Sequence, residues 1–272
     1  MTYQAQRDNR SLAECLTPVV QDDGAFQFAL APNWMQGRSC YGGMSTAFGL
    51  AAIKMNAEVA RPLRTVQVAF AGPLREGPAA VQIETLRSGT SVEVFCARVM
   101  APDNRVATQV TAVFGAARNA LTLPQPQRND LPTLTGVPDV SFIKGMMPEF
   151  MRYIDLKWVG GGVPFSGTKD MSMQMWGKFK QRGDVEAELY YVALADMPPT
   201  VMLSHFQYPV MSSSVTWSLE IVRPLVEAVG EWMYIEADLN AASDGYCQQT
   251  ASFYDEAGHL IMLGRQCIAY FG

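Results

Sequence analysis

The sequence predicts an α+β fold made of two tandem copies of one strand–helix–four-strand unit. Three observations carry that expectation. Helical spacing of apolar residues occurs in two stretches, about 44–60 and 184–203, and four strand-like segments follow each one. The two halves end alike: Gln109, Ala112, Phe114 and Gly115 recur as Gln266, Ala269, Phe271 and Gly272, each 157 residues later. Between the halves lies a stretch carrying Pro124, Pro126, Pro132 and Pro138, the composition of a linker. The expected boundaries are 1–117 for the first unit, 118–140 for the linker and 141–272 for the second unit. A helix with a run of antiparallel strands buries itself on one face of the sheet.

In the first half, Ala25–Leu30 reads as a strand, and Trp34 to Gly43 reads as a loop rich in glycine. A helix follows over Met44 to Ala60, with Ala47, Leu50, Ala51, Met55 and Val59 at helical spacing and Pro62 just beyond. The strands are expected over 63–71, 80–87, 91–100 and 105–115. Gly72-Pro73, Gly77-Pro78, Ser88-Gly89 and Pro102-Asp103-Asn104 supply the turns between them. In the second half, strands are expected over 151–159 and 171–179, joined through Gly160-Gly161-Gly162. The helical pattern of 184–203 must bend or break at Pro198-Pro199. Four strands close the chain, over 214–222, 232–239, 246–254 and 259–270. Pro73-Leu74 recurs as Pro224-Leu225 at the smaller offset of 151, so the later turns of the second half are longer.

Composition narrows the function. Hydrophobic residues make up 49% of the 272 and charged residues 17%, which suits a packed core rather than extended disorder. A net charge of −5 gives no electrostatic attraction for nucleic acid. Two histidines, His205 and His259, argue against a metal centre built on His. Five cysteines without a C-x-x-C pair argue against a disulfide frame or a zinc knuckle. The first residues lack the apolar core of a signal peptide, and no apolar run reaches the roughly 18 residues of a membrane span. A soluble, reduced, cytoplasmic protein is expected, and Asn9-Arg10-Ser11 is read as a chance match to a glycosylation acceptor. The 16 methionines suit an adaptable apolar pocket.

Several segments carry a sharper signal. Tyr41-Gly42-Gly43-Met44 opens the first helix, and the same half carries Glu84-Thr85-Leu86-Arg87-Ser88-Gly89-Thr90-Ser91. In the second half stand Leu194-Ala195-Asp196, Arg223-Pro224-Leu225, and an ending from Gly258 to Gln266. Together these resemble the acyl-CoA thioesterase II family, over nearly the whole chain except the linker. The resemblance implies a double hotdog fold, in which each unit wraps an antiparallel sheet around one long helix. It further implies hydrolysis of acyl-CoA or related thioesters in fatty acid metabolism, with no cofactor and no metal. The family uses an Asp, a Ser or Thr and a Gln from the second unit. These positions match Asp196, Ser214 and Gln266, with Thr216 competing for the hydroxyl because Ser212, Ser214 and Thr216 share one strand face. Members of the family often associate, which leaves a homo-oligomer open.

These residue types suit the chemistry. Thioester hydrolysis needs a held water, a group to take its proton and donors for the developing oxyanion. A desolvated Asp196 can take the proton. A Ser hydroxyl and a Gln amide each offer donor and acceptor. Helix-terminal backbone N–H groups beside Gly42 and Gly43, or their equivalents in the second unit, can polarise the carbonyl. Direct attack by Asp196, giving an anhydride, fits the same residues. Each has a plainer reading too: Asp196 as a turn or cap before Pro-Pro, and Gln266 as a strand residue mirrored by Gln109. Gly43-Met44-Ser45-Thr46-Ala47 lacks the last glycine of a nucleophile elbow, and Gly160-Gly161-Gly162 lacks the lysine of a phosphate loop. Met171, Met173 and Met175 alternate as a core face or an acyl-chain wall. His259 is expected exposed in a hairpin turn, while His205 is near enough to the second helix to reach a pocket. Two other functions compete. A hotdog hydratase or dehydratase needs an Asp–His or Glu–His pair, and neither helical stretch contains His. A non-catalytic acyl-binding protein needs no intact site.

Overall fold

The structure, a computed structural model, describes residues 10–22, 24–57, 59 and 61–272. Asn9 of the acceptor pattern, the expected helix end at Ala60 and the opening residues of the first unit lie outside these. The chain packs as two compact units. One comprises the described part of Met1–Ala116 with Phe142–Ile154 and Phe179–Asp196; the other comprises Ala117–Ser141, Asp155–Lys178 and Met197–Gly272. The repeat expected along the chain therefore describes the order of elements, while packing exchanges segments between the halves.

The first unit opens with α1 (Leu12–Leu16), held by a capping box: the Ser11 hydroxyl accepts from the Glu14 N–H, and the Glu14 carboxylate accepts from the Ser11 N–H at 2.8 Å. The backbone bond to Ser11 holds the Glu14 carboxyl below its usual range. Strands β1 (Val19–Val20) and β2 (Phe26–Leu30) follow, then a small hairpin of β3 (Met35–Gln36) and β4 (Ser39–Cys40). Helix α2 (Gly42–Ala57) starts two residues earlier than its apolar spacing predicts. Then come β5 (Leu63–Phe70), β6 (Gly77–Ser88), β7 (Val92–Met100) and β8 (Val106–Gly115), close to the expected bounds. All pairings are antiparallel, in the order β1-β2-β6-β7-β8-β5.

Helix α2 lies against β6, β7 and β8. Every residue from Gly43 to Ile53 is buried, so it shows no polar stripe. Small residues make this close approach feasible. A Cβ on Gly49 would stand 2.9 Å from Val110 and 3.4 Å from Ala97, on two strands of the sheet. The same unit holds α3 (Ala187–Ala195), which packs against α2. At one end of this helix pair the buried Glu188 carboxylate meets the Lys54 ammonium and accepts from the Leu63 N–H at 2.8 Å, while Glu186 lies 2.8 Å from Lys54. Burial pulls the Lys54 pKa down, but hydrogen bonds to Glu186 and Glu188 outweigh it and hold the ammonium above its usual value.

The second unit is an antiparallel sheet in the order β11-β14-β13-β12-β10-β9. Its strands are β9 (Ile154–Gly161), β10 (Ser172–Phe179), β11 (Met211–Ile221), β12 (Met233–Ser243), β13 (Tyr246–Tyr254) and β14 (Leu260–Phe271). The strand expected from Met151 begins only at Ile154, because Glu149–Tyr153 after Pro148 forms a 3-10 turn. The Pro-rich stretch lies on this sheet as an ordered strap. Proline offers no N–H but keeps its carbonyl. Accordingly, Pro126 accepts from Leu260 N–H at 3.2 Å and Pro132 from the Trp176 indole at 3.0 Å. The strap is fixed at Gly258, whose carbonyl accepts from Arg128 N–H at 2.8 Å, and by Arg128 pairing with Asp130 and Glu236. No helix among the described residues is long and apolar enough to cross a membrane.

Two stability outcomes follow. Gly258 has φ +78°, and a Cβ there would stand 1.9 Å from the Arg128 carbonyl oxygen. Gly258→Ala should therefore lower unfolding free energy by about 2 kcal/mol or more in a denaturant titration, and a neutral result would show that the strap contributes nothing there. Glu188→Ala leaves the Leu63 N–H without its acceptor and removes one partner of the largely buried Lys54. It should cost about 2–4 kcal/mol, and a loss below about 0.5 kcal/mol would contradict that role.

Candidate active site

Asp196 terminates α3. Its φ of −89° and ψ of 4° leave the helix, and its N–H turns back to the Leu194 carbonyl. The cause lies two residues on. Neither Pro198 nor Pro199 has an N–H to continue the ladder, and each disfavours helix in the residue before it. The helix is thus nine residues long rather than spanning 184–203, and every residue from Glu188 to Ala195 is buried. Asp196 itself is half-buried.

Within the same unit, the Asp196 carboxylate is packed on the first turn of α2. A Cβ on Gly42 would stand 2.5 Å from Asp196 Oδ2 and 3.0 Å from the Phe70 ring. The carboxylate and an aromatic wall therefore occupy the space that any other residue at 42 would fill. A Cβ on Gly43 would stand 2.1 Å from the Ala193 carbonyl oxygen. The N–H groups of Gly42 and Gly43 lie in the first turn of α2, where a helix has no internal acceptor and carries partial positive charge. A carboxylate thus faces a helix N-terminus able to bind a second oxygen.

Tyr41 precedes this turn. It is fully buried, its ring is stacked on Phe150 at 4.0 Å, and its O–H donates to the Ala193 carbonyl at 2.5 Å. Burial, reinforced by the Asp196 charge, pushes the Tyr41 phenol well above its usual pKa, so it remains a donor. The neighbouring Cys40 thiol is buried and likewise pushed well up, first by desolvation, which makes it an inert thiol rather than a nucleophile. Ser45 is a first-turn helix residue whose hydroxyl donates to the Gly42 carbonyl at 3.0 Å and accepts from Thr108 at 3.0 Å.

Ser214 and Gln266 belong to the second unit. Directly paired residues of neighbouring strands point to one face. Ser214 pairs with the buried Ile268, and Gln266 pairs with the buried Trp217, so Ser214 and Gln266 both lie on the core face. Thr216 does not. A bulge between Ser214 and Thr216 makes Val215 the extra residue and brings Thr216 opposite Cys267, on the outer face, where it is exposed. The expectation that Ser212, Ser214 and Thr216 share a face is corrected at Thr216.

Gln249 was not singled out in the sequence. It sits opposite Gln266 on the core face, buried, and its Oε1 accepts from the Val201 N–H at 2.8 Å. That N–H opens a 3-10 turn over Val201–His205, capped by the Thr200 hydroxyl at 3.3 Å from Met202 N. The signal for Gln249 was present: it is a polar residue in phase with Cys247, Ala251 and Phe253. His259 is half-buried rather than exposed, with Nδ1 3.1 Å from an Asp255 carboxylate that also accepts backbone N–H groups of Val229, Ala257 and His259. This is the hydrogen-bonded pattern of a structural turn. His205 ends the 3-10 turn, its Nδ1 3.4 Å from the Ser204 hydroxyl. Met173 and Met175 are fully buried while Met171 is half exposed, which makes this strand face core. Gly160 and Gly161 end β9, as a strand end rather than a strand–helix loop. Among the described residues no cluster of three or more His, Cys, Asp or Glu is placed to hold a metal ion.

Comparison with known proteins agrees with this architecture. A conserved protein of unknown function with a hot dog fold from Alicyclobacillus acidocaldarius superposes with a TM-score of 0.86 at 19% identity, covering 97% of this chain and 99% of that one. The tesB protein of Mycobacterium avium subs paratuberculosis gives 0.78 at 12% identity, covering 96% and 98%. An acyl-CoA thioesterase II from Mycobacterium marinum gives 0.73 at 15% identity, again covering 96% and 98%. These likenesses establish the double hotdog fold. No curated protein matches the chain. The family model for the acyl-CoA thioesterase N-terminal domain matches residues 30–115, and the model for the C-terminal domain matches residues 125–270. With both models matched in order and the fold in agreement, the chain belongs to the acyl-CoA thioesterase family.

Proposed function

We propose that this protein hydrolyses acyl-CoA-type thioesters to a free acid and a thiol by activated water. The supporting observation is the Asp196 carboxylate set against the first turn of α2 at Gly42. A base and an electrophilic helix end stand side by side, as acyl transfer to water requires. In the reaction, N–H groups of Gly42 and Gly43 bind the thioester oxygen, and water attacks the carbonyl carbon as its proton passes to Asp196. Collapse of the tetrahedral intermediate breaks the C–S bond, and the departing thiolate takes that proton back. The family resemblance assigns orientation of the water to Ser214 and Gln266. Their shared face in the second unit favours Ser214 over Thr216 as the hydroxyl. Neither α2 nor α3 carries His, which counts against a hydratase or dehydratase.

A panel of acyl-CoAs of graded chain length should be hydrolysed by the wild-type protein. Asp196→Asn should lower kcat by about 100-fold or more, and Gln266→Ala by about 10- to 100-fold. No turnover at any chain length would refute the thioesterase reading in favour of a non-catalytic acyl-binding protein. Activity unchanged by both substitutions would refute the site. A separate pair decides the hydroxyl: Ser214→Ala should reduce kcat while Thr216→Ala leaves it within about twofold, and the reverse pattern would move the role to Thr216.

A further inference from the structure

We propose that Tyr41 is a positioning residue that sets where the Asp196 carboxylate stands against α2; its catalytic consequence rests on Asp196 being the base. Tyr41 grips both helix ends. Its backbone carbonyl accepts from the N–H groups of Met44 and Ser45 at 3.0 and 3.1 Å, which starts α2. Its side-chain hydroxyl donates to Ala193, in the last turn of α3, three residues before Asp196. Because α3 stops at Asp196, that carbonyl lies among those a helix end leaves without the next ladder donor.

The rest of the residue is held equally firmly. The Tyr41 N–H donates to the Trp34 carbonyl at 2.9 Å, and the ring lies flat on Phe150 with an interplanar angle of 10°. A ring so fixed leaves its hydroxyl little freedom, so the Ala193 carbonyl, and the chain that ends in Asp196, take their place from it. Gly43 completes the arrangement, since a Cβ there would collide with both the Ala193 oxygen and the Tyr41 ring. The hydroxyl is committed to Ala193, so Tyr41 acts through Asp196 and does not touch the reacting atoms itself.

Tyr41→Phe keeps the ring and its stack and removes only the donor. In acyl-CoA hydrolysis it should reduce kcat roughly 10- to 100-fold with KM within about twofold, the size expected when a reacting group moves by about an ångström. Glu188→Gln serves as comparison, because it weakens the same helix pair at its other end. It should lower Tm while leaving kcat per folded molecule near wild type. A crystal structure of Tyr41→Phe should show the Asp196 carboxylate displaced from Gly42 with the Phe150 stack retained. Wild-type kcat in Tyr41→Phe, an equal kcat loss in Glu188→Gln, or an unmoved Asp196 would each overturn the proposal. A wild-type protein without thioesterase activity would instead refute the functional reading, and the crystallographic comparison would still decide whether Tyr41 positions Asp196.

Discussion

The first unit depends on the meeting of two helix ends without side-chain bulk between them. The C-terminus of α3 and the N-terminus of α2 approach until the Ala193 oxygen and the Asp196 carboxylate occupy space that Cβ atoms at 43 and 42 would need. The ends are electrically complementary, one carrying carbonyl and carboxylate oxygens and the other N–H groups. Their approach requires two consecutive glycines at the start of a helix, where glycine is otherwise a poor choice. The Tyr41 hydroxyl then satisfies a carbonyl that burial would make costly to leave unpaired, by about 1–3 kcal/mol.

The two sheets are built differently. In the first unit the sheet buries α2 almost completely, and Gly49 allows the helix to lie close to β7 and β8. That contact anchors the helix whose first turn faces Asp196. In the second unit the sheet itself presents polar side chains on its core face. Gln249 and Gln266 stand opposite each other between buried apolar neighbours, and the Val201 N–H takes up one of the oxygens. The strap over residues 125–132 lies across one end of this sheet, and its backbone bonds to Gly258 and Leu260 bind it there.

Legibility in the sequence followed the range of the forces involved. Alternating polarity marked the strands within a few residues, because one face of each strand is buried. Pro198-Pro199 correctly announced a break, although α3 proved much shorter than its apolar spacing suggested. The Ser11-Leu12-Ala13-Glu14 capping box was readable and passed unread. Motif resemblance singled out Asp196, Ser214 and Gln266 as candidates, but the bulge at Val215 left no such trace, because an extra residue is visible only against its partner strand. Tyr41 read merely as the residue before two glycines, since its acceptor lies 152 residues away.

The sequence by itself determined the class of fold, its internal repeat and the family, because periodicity, turn residues and short motifs are local properties of the chain. Tertiary structure alone decided that Asp196 rests on Gly42, that Tyr41 reaches Ala193, that Thr216 turns outward and that the proline-rich stretch is a bound strap. Each of these depends on a contact between segments far apart in sequence. The register and spacing of such contacts follow from packing the whole unit, which no local pattern encodes.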